Sequence, residues 1–350
     1  MASAATEEYE NTRAALARFI GASSPSEVVF TSGATAAINL VAFSYGEAFV
    51  GEGDEIIVTE EEHHSNIVPW QMLCQRKGAS LKVLPVDDLG HLCVDLLEGM
   101  ISSRTKLVAV SHVSNVLGIV NPVREIAEIS HKKGVPLLVD GAQGIVHQNV
   151  NVNDLGCDFY VFSGHKLYAA SGTGVLYGRK EWLDRMPPYM GGGEMIESVS
   201  FTRTTYAPVP GKFEAGTQNI NSVPAFVPAI EFVKQLDDKE LKSETEAVAA
   251  FMYDSLSANP RIHLFGVPRG TEIKVPLYSF TVDGVHHEDL ALILDKMGVA
   301  VRSGQMCAEP LMARFGVTGM LRASLAPYNS MEEAEYFIGA LQKAVNMLSR

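Results

Sequence analysis

The sequence predicts an α/β fold in which a large domain with a mostly parallel sheet precedes a smaller α+β domain. Between about residues 27 and 178, short runs of β-branched residues alternate with stretches whose apolar residues recur at the helical period. This alternation is typical of a parallel sheet with helices on its faces. A length of 350 residues allows two domains, which we place at 1–258 and 259–350.

The large domain is expected to begin with an amphipathic helix that has Leu16, Phe19 and Ile20 on one side. NPVREIAEISHKKG and FVPAIEFVKQL predict later helices, and a long helix is expected over 239–258. The glycine- and proline-rich stretch 187–221 predicts a crossing or a hairpin rather than a core element. Seven runs predict the strands of the sheet: EVVFTS, DEIIVTE, SLKVLPV, TKLVAVSHV, VPLLVDGAQ, FYVFSGHK and TGVLYGR.

The C-terminal part of the chain predicts a mixed α+β domain. In order, the predicted elements are a strand in KVPLYSFTVDG, a helix in HEDLALILDKMG, a loop in VRSGQMCAEPLM and a strand in MLRASLA. A final helix follows, with a capping box that Ser330 begins and Glu333 completes.

Composition excludes several classes of protein. Hydrophobic residues make up 47% and charged residues 20% of the chain, and no run approaches the ~20 apolar residues of a membrane span. The net charge of −13 disfavours nucleic acid as a partner. Four cysteines without a C-x-x-C pair indicate neither a disulfide framework nor a metal centre. With no secretory signal at the N-terminus, a cytoplasmic, reducing compartment is expected.

Polar clusters close five of the predicted strands, and ligands of parallel sheets bind at the carboxyl ends of strands. Five such ends in succession suggest one shared pocket. The clusters are residues 32–35, 62–64, 114–115, 140–143 and 163–166.

Lys166 and Asp140 are the candidates for cofactor chemistry. Lys166 follows an apolar strand and a flexible glycine, a placement that suits a desolvated amine able to form a Schiff base. Asp140 ends an apolar strand and needs a cationic partner, such as the pyridine nitrogen of pyridoxal phosphate. The alternatives are a surface lysine and a turn aspartate.

A phosphate site is expected where the segment from Gly33 to Thr35 enters a helix, because backbone N–H groups and a hydroxyl meet there. Ser163 and His165 are additional donors. His63 is suited to stacking on a planar ring; zinc binding by His63 and His64 lacks further ligands.

Cys307 and Arg322 are the candidates for substrate chemistry. Cys307 lies in a loop with an arginine in the same segment, as an exposed thiolate nucleophile requires, although an inert cysteine is the alternative. Cys74 and Cys157 are interpreted as core residues, and Cys93 shows no polar constellation. Arg322 lies within an apolar strand and needs a partner, either a substrate carboxylate or an internal salt bridge.

Together these motifs resemble the cysteine desulfurases of the class V aminotransferase superfamily, in the group II, SufS-like branch that also contains selenocysteine lyases. The resemblance covers nearly all of residues 5–348 and implies the pyridoxal-phosphate-dependent transferase fold of type I. It rests on TSGATAAINLVA, EEHHSNIVPWQ, SNVLGIVNPV, LLVDGAQ, DFYVFSGHKLY, GGGEMI, KFEAGTQN, VRSGQMCAEPL and LRASLAPYN.

The resemblance implies a role for each matching residue. Lys166 is the Schiff-base lysine, Asp140 the partner of the pyridinium and His63 the ring-stacking residue. Cys307 carries the persulfide, and Arg322, with Arg302 and Asn115, binds the substrate. The remaining cofactor contacts fall to Asn115 and Gln143 at the ring and to Ala34 (through its backbone), Thr35, Ser163 and His165 at the phosphate.

The resemblance also implies partners. Thr217 is expected to reach the phosphate of a neighbouring subunit, so a homodimer is expected. The substrate would be L-cysteine, and a dedicated protein would accept the sulfur for iron–sulfur cluster or other sulfur biosynthesis. Open alternatives are a selenocysteine lyase, a cysteine-sulfinate desulfinase and an impaired scaffold protein.

Two departures from the family pattern are apparent. Ala34 replaces a common threonine, which removes one hydroxyl from the phosphate site, and Ala36 replaces a commonly acidic residue. Relatives also carry several dozen further N-terminal residues, so the chain is expected to lack a segment that borders the substrate entrance.

Overall fold

A computed structural model describes residues 2–266 and 274–349. The seven predicted strands form one sheet in the order β1-β7-β6-β5-β4-β2-β3. Every neighbouring pair is parallel except those of β7, which runs antiparallel to β6 and β1. The strands are β1 Val28–Thr31, β2 Glu55–Thr59, β3 Ser80–Leu84, β4 Thr105–Ser111, β5 Leu137–Asp140, β6 Phe159–Ser163 and β7 Gly174–Gly178. The predicted fold class is confirmed.

Helices cover both faces of this sheet. In β4, Leu107 and Ala109 pack into one hydrophobic core, and Val108 and Val110 pack into the other. A central strand that is buried on both faces consists of a continuous run of apolar residues, and β4 has such a run at 107–110. The helices of this part are α1 Ala2–Phe19, α2 Ala34–Phe49, α3 Val68–Lys77, α4 Leu97–Met100, α5 Val123–Lys132, α6 Gly144–His147, α7 Val152–Leu155, α8 Lys180–Arg185 and α9 Phe226–Gln235.

The N-terminal helix is part of the large-domain core, because Leu16 and Ile20 are fully buried. Its buried Arg13 forms an ion pair with Glu214 (2.7 Å), and the Glu214 carboxylate also accepts the N–H of Phe30. Glu214 thereby fixes the segment that leads to Thr217.

The stretch 187–221 contains the predicted hairpin. Its two strands, β8 Ile196–Val199 and β9 Thr204–Tyr206, pair antiparallel and form a separate two-stranded sheet. Val199 and Phe201 are largely exposed there.

The C-terminal part forms an antiparallel sheet in the order β10-β11-β13-β12 with helices packed against it. The predicted capping box is present, with Ser330 and Glu333 each accepting a backbone N–H of the other. The proposed boundary at residue 258 falls just after α10, whose Val248 and Met252 pack into the core of this part. The elements are α10 Lys239–Ser257, β10 Ile262–Phe265, β11 Leu277–Val282, α11 His287–Lys296, β12 Arg302–Gly304, α12 Glu309–Arg314, β13 Met320–Ser324 and α13 Met331–Leu348.

The prediction of a plain loop in VRSGQMCAEPLM was wrong. This segment contains β12, which pairs with β13, and the start of α12. The three residues of β12 carry no β-branched pattern, so the strand depends on its partner rather than on local propensity. The strand β10 was also missed.

Candidate active site

A cavity of about 270 Å³ lies at the carboxyl ends of the parallel strands. It brings together every predicted site residue except Thr217. The cofactor candidates that line it are Ala34, Thr35, His63, Asn115, Asp140, Gln143, Ser163, His165 and Lys166, and the substrate candidates are Arg302, Cys307 and Arg322.

Lys166 is held in a short 3-10 helix, Gly164–Leu167, directly after β6. Burial lowers the pKa of its amine, and the positive charges of Arg322 and Arg302 lower it further. Glycine is needed at position 164 for space, because a Cβ there would clash with the Thr173 hydroxyl. Lys166 is thus a partly desolvated amine facing the cavity.

Asp140 ends β5 as a buried side chain. Its Oδ1 accepts the N–H of Ala142 (2.9 Å). Burial raises the pKa of the carboxyl to about 6, although that hydrogen bond and the charge of Lys166 act in the opposite direction. A cation bound beside Asp140 would favour the ionised carboxylate.

His63 caps the short 3-10 helix His64–Asn66, and its Nδ1 accepts the N–H of Ser65 (3.1 Å). Burial is the main cause that lowers the pKa of His63 to about 4, and the positive charges of Lys166 and Arg302 act in the same direction. The imidazole is therefore neutral at pH 7. Among the described residues, no cluster of three or more His, Cys, Asp or Glu could bind a metal.

The N-terminus of α2 forms one end of the cavity. The N–H of Ala34 donates to Ser163 Oγ (2.8 Å), and the hydroxyls of Thr35 and Ser65 are 2.7 Å apart. Ser65 lines the cavity but was not among the predicted site residues. Its position directly after the two histidines at the end of β2 was the available signal.

Cys307 is half-buried in the cavity wall. Arg302 Nη2 donates to its Sγ (3.2 Å), so a cationic donor lies at the sulfur, as in known cysteine nucleophiles. Cys74 and Cys157 are buried, as predicted, and burial raises the pKa of both thiols. The half-buried Cys93 lies outside the cavity, and burial raises the pKa of its thiol too.

Arg322 projects from β13 into the cavity, where its Nη1 donates to the carbonyl oxygen of Asn115 (2.7 Å). Its Nε is buried without a hydrogen-bond partner, and no carboxylate within the described residues pairs with it. The internal salt bridge is thus not formed in this part of the chain. Burial and the nearby Arg302 lower the pKa of Arg322 to about 10.

Two buried acids behind the cavity were not predicted as functional. Glu62 accepts hydrogen bonds from Thr59 Oγ1 (2.6 Å), the N–H of Ser111 (2.8 Å) and Asn66 Nδ2 (2.7 Å). Glu61 accepts one from the hydroxyl of Ser111 (3.0 Å). Burial raises the pKa of both acids. They connect the ends of β2 and β4, and so fix the position of His63.

Thr217 is exposed and does not line the cavity of its own chain. Its contact with the phosphate of a neighbouring subunit stays a prediction.

Comparison with known proteins identifies the family. Residues 1–337 match the family described as aminotransferase class-V. The chain belongs to this family. A probable cysteine desulfurase of Vibrio cholerae serotype O1 is 44% identical over 344 residues, which are 98% of this chain and 84% of the relative. A cysteine desulfurase of Klebsiella pneumoniae is 45% identical over 345 residues, with the same coverage.

Solved structures share the fold as well. The cysteine desulfurase CsdA of Escherichia coli superposes with a TM-score of 0.93 at 39% identity, over 99% of this chain and 86% of that one. The apo cysteine desulfurase of Thermococcus onnurineus NA1 gives a TM-score of 0.93 at 38% identity, over 99% and 85%. The fold expected for the family is confirmed. Within the described residues, no helix is both long and apolar enough to cross a membrane.

The raised pKa of Asp140 predicts how stability depends on pH in protein freed of small ligands. The carboxyl titrates near 6 when folded and near 4 when unfolded, so folding takes up a proton between these values. Its contribution to the free energy of unfolding therefore falls as the pH rises from about 4 to about 6. Asp140→Asn should remove this loss and raise stability at pH 7 by up to about 2–3 kcal/mol, measured by urea unfolding.

The control is Asp154→Asn, which neutralises an exposed carboxylate and should leave the pH dependence unchanged. If Asp140→Asn were less stable than the unmodified protein at pH 7, Lys166 would be compensating the buried charge and the account would be wrong.

Proposed function

We propose that this protein is a cysteine desulfurase that converts L-cysteine to L-alanine and takes the sulfur onto Cys307 as a persulfide. The observation that carries the proposal is that the amine of Lys166, the thiol of Cys307 and the guanidinium of Arg322 line one cavity, and that no carboxylate of the described residues pairs with Arg322. The relatives named as cysteine desulfurases support it across nearly the whole chain.

The cavity fits pyridoxal phosphate as the cofactor. The helix N-terminus at Ala34 and the hydroxyls of Thr35, Ser65 and Ser163 supply donors for a phosphate. The Ser65 hydroxyl would compensate for the hydroxyl that the phosphate site loses with alanine at position 34. The buried Asp140 suits a pyridinium nitrogen, because a cation there offsets the cost of burying the carboxylate.

Further residues that line the cavity would contact the ring and the phosphate of the cofactor. His63 would stack on the ring, Asn115 and Gln143 would contact its substituents, and His165 would join the phosphate donors. When bound, pyridoxal phosphate withdraws electrons from the Cα of an amino acid.

Arg322 would bind the substrate carboxylate. In the part of the chain that the structure describes, its buried Nε has no hydrogen-bond partner, and a carboxylate that accepts two parallel hydrogen bonds would satisfy the guanidinium. Arg302 and Asn115 line the same part of the cavity and would assist. Binding here directs the Cα of cysteine toward Lys166.

Lys166 would move the proton at Cα. Because burial and two arginines lower the pKa of its amine, a larger neutral fraction is available to accept that proton. The same groups favour release of the proton afterwards.

Cys307 would then take the sulfur. Its thiolate attacks the sulfur of the substrate, an S–S bond forms and the C–S bond breaks. The electron pair of the C–S bond stays on the carbon fragment, which becomes alanine on protonation. No external oxidant is required, because the carbon fragment keeps the electron pair of the C–S bond while the sulfur becomes part of the persulfide.

We further propose the group II branch, a homodimer and transfer of the persulfide to an acceptor protein in the cytoplasm. Thr217 lies outside the cavity of its own chain, as a residue that completes a partner's site would. The exposed Val199 and Phe201 of the hairpin offer apolar surface for a second subunit. The short segment that carries Cys307 has little reach, which favours a partner that comes to the persulfide.

Cys307→Ser should abolish alanine release from cysteine and leave bound pyridoxal phosphate in place. A hydroxyl cannot accept sulfur as a thiolate does, whereas selenium leaves carbon more easily, so some activity with selenocysteine should remain. Alanine release and cofactor absorbance measure the two effects.

The matched control is Cys93→Ser, since Cys93 is also half-buried but lies outside the cavity. Full activity of Cys307→Ser with cysteine, or loss of activity in Cys93→Ser instead, would refute the role of Cys307.

Arg322→Lys should raise the KM for cysteine, because an ammonium cannot form the two parallel bonds that a guanidinium forms with a carboxylate. The expected loss is about 1–3 kcal/mol of binding free energy. Arg314→Lys, on the outside of α12 where Arg314 pairs with Asp88, is the control. An unchanged KM in Arg322→Lys would exclude a carboxylate contact at this residue.

A further inference from the structure

Within the described residues, three hydrogen bonds attach the segment 306–309, which contains Cys307, to the large domain. The backbone N–H of His64 donates to the carbonyl oxygen of Cys307 (2.7 Å), and Asn115 Nδ2 donates to that of Met306 (2.8 Å). The N–H of Glu309 donates to His64 Nε2 (3.1 Å). His64 therefore holds the chain at the cysteine and two residues after it, and Asn115 holds it one residue before.

The backbone at the cysteine needs such support. Met306 and Cys307 have φ angles of 55° and 57°, in the left-handed region that non-glycine residues rarely adopt. Two successive residues of this kind persist only where the surroundings fix them. The conformation places Cys307 Sγ within 3.2 Å of Arg302 Nη2 at the cavity wall.

The contact with Glu309 defines the state of the His64 ring. A backbone N–H can only donate, so Nε2 must accept and carries no proton. Glu309 is the first residue of α12, where a backbone N–H has no partner within the helix. His64 supplies the missing acceptor, and thereby joins the start of α12 to the large domain.

We propose that His64 is a positioning residue for sulfur transfer, whose Nε2 holds the start of α12 so that the Cys307 thiol stays at the cavity beside Arg302. The proposal rests on the proposed function. His63 and His64 then have separate tasks: the first lines the cofactor cavity, and the second fixes the nucleophile. The short 3-10 helix that begins at His64 links the two.

The test compares two substitutions. His64→Phe keeps the flat ring and removes the acceptor, whereas His64→Gln keeps an acceptor at the ε position. Both keep the backbone bond from residue 64 to Cys307. His64→Phe should lower kcat with cysteine roughly tenfold or more, because a misplaced nucleophile slows the chemical step. The KM for cysteine should stay within about twofold, and His64→Gln should recover most of kcat.

A second readout does not depend on catalysis. Hydrogen–deuterium exchange at the Glu309 amide, followed in peptides that cover 305–312, should be roughly tenfold faster in His64→Phe and close to the unmodified rate in His64→Gln. Both variants should retain the absorbance of bound pyridoxal phosphate. His64→Leu replaces His64→Phe if the phenyl ring prevents folding.

The control is His286→Phe, because His286 also accepts a backbone N–H, that of Glu288, but lies outside the cavity. It should change neither kcat nor exchange at Glu309. Unchanged kcat and exchange in His64→Phe, equal impairment of the two His64 variants or loss of the cofactor would each overturn the proposal. If the unmodified protein released no alanine, the proposed function would fail, while amide exchange would still test the His64 contact.

Discussion

Among the described residues that line the cavity, the cationic side chains of Lys166, Arg302 and Arg322 face a single carboxylic acid, Asp140. Burial disfavours the charged form of three of these side chains. It lowers the pKa of Lys166 and Arg322 and raises the pKa of Asp140. Such an arrangement is unfavourable until anions enter. A phosphate and a carboxylate are the anions that this set of donors fits, so the proposed cofactor and substrate would complete the electrostatics of the cavity.

The parallel sheet makes this concentration of charge possible. Because the carboxyl ends of β2, β4, β5 and β6 meet at one edge, residues far apart in sequence face one space. The small domain adds Arg302, Cys307 and Arg322 from β12, β13 and the turn before α12. The proposed reaction would therefore need both parts, and hydrogen bonds such as that from Arg322 to Asn115 join them.

The sequence was sufficient to predict the seven strands and most of the residues that line the cavity, because a strand buried on both faces is apolar until its polar end. It was not sufficient for residues whose role depends on contacts distant in sequence. Glu62 was recognised only as part of a polar cluster at a strand end, but three donors from separate elements contact its buried carboxylate. Ser65 was not predicted, and His64 was considered only as a zinc ligand, since only the fold brings these residues to Thr35 and Glu309. The strand β12 forms through its pairing with β13, and its own three residues give no sign of that pairing.

The central claim is that this cavity binds pyridoxal phosphate through Lys166. Borohydride reduction of the purified protein, followed by digestion and mass spectrometry of the peptides, tests it most directly. The account predicts one phosphopyridoxyl group, on the peptide that contains Lys166. Burial also lowers the pKa of Lys212 and Lys274, which makes them the competing buried amines. Modification at either of these lysines in place of Lys166, or no modification in protein supplied with the cofactor, would contradict the account.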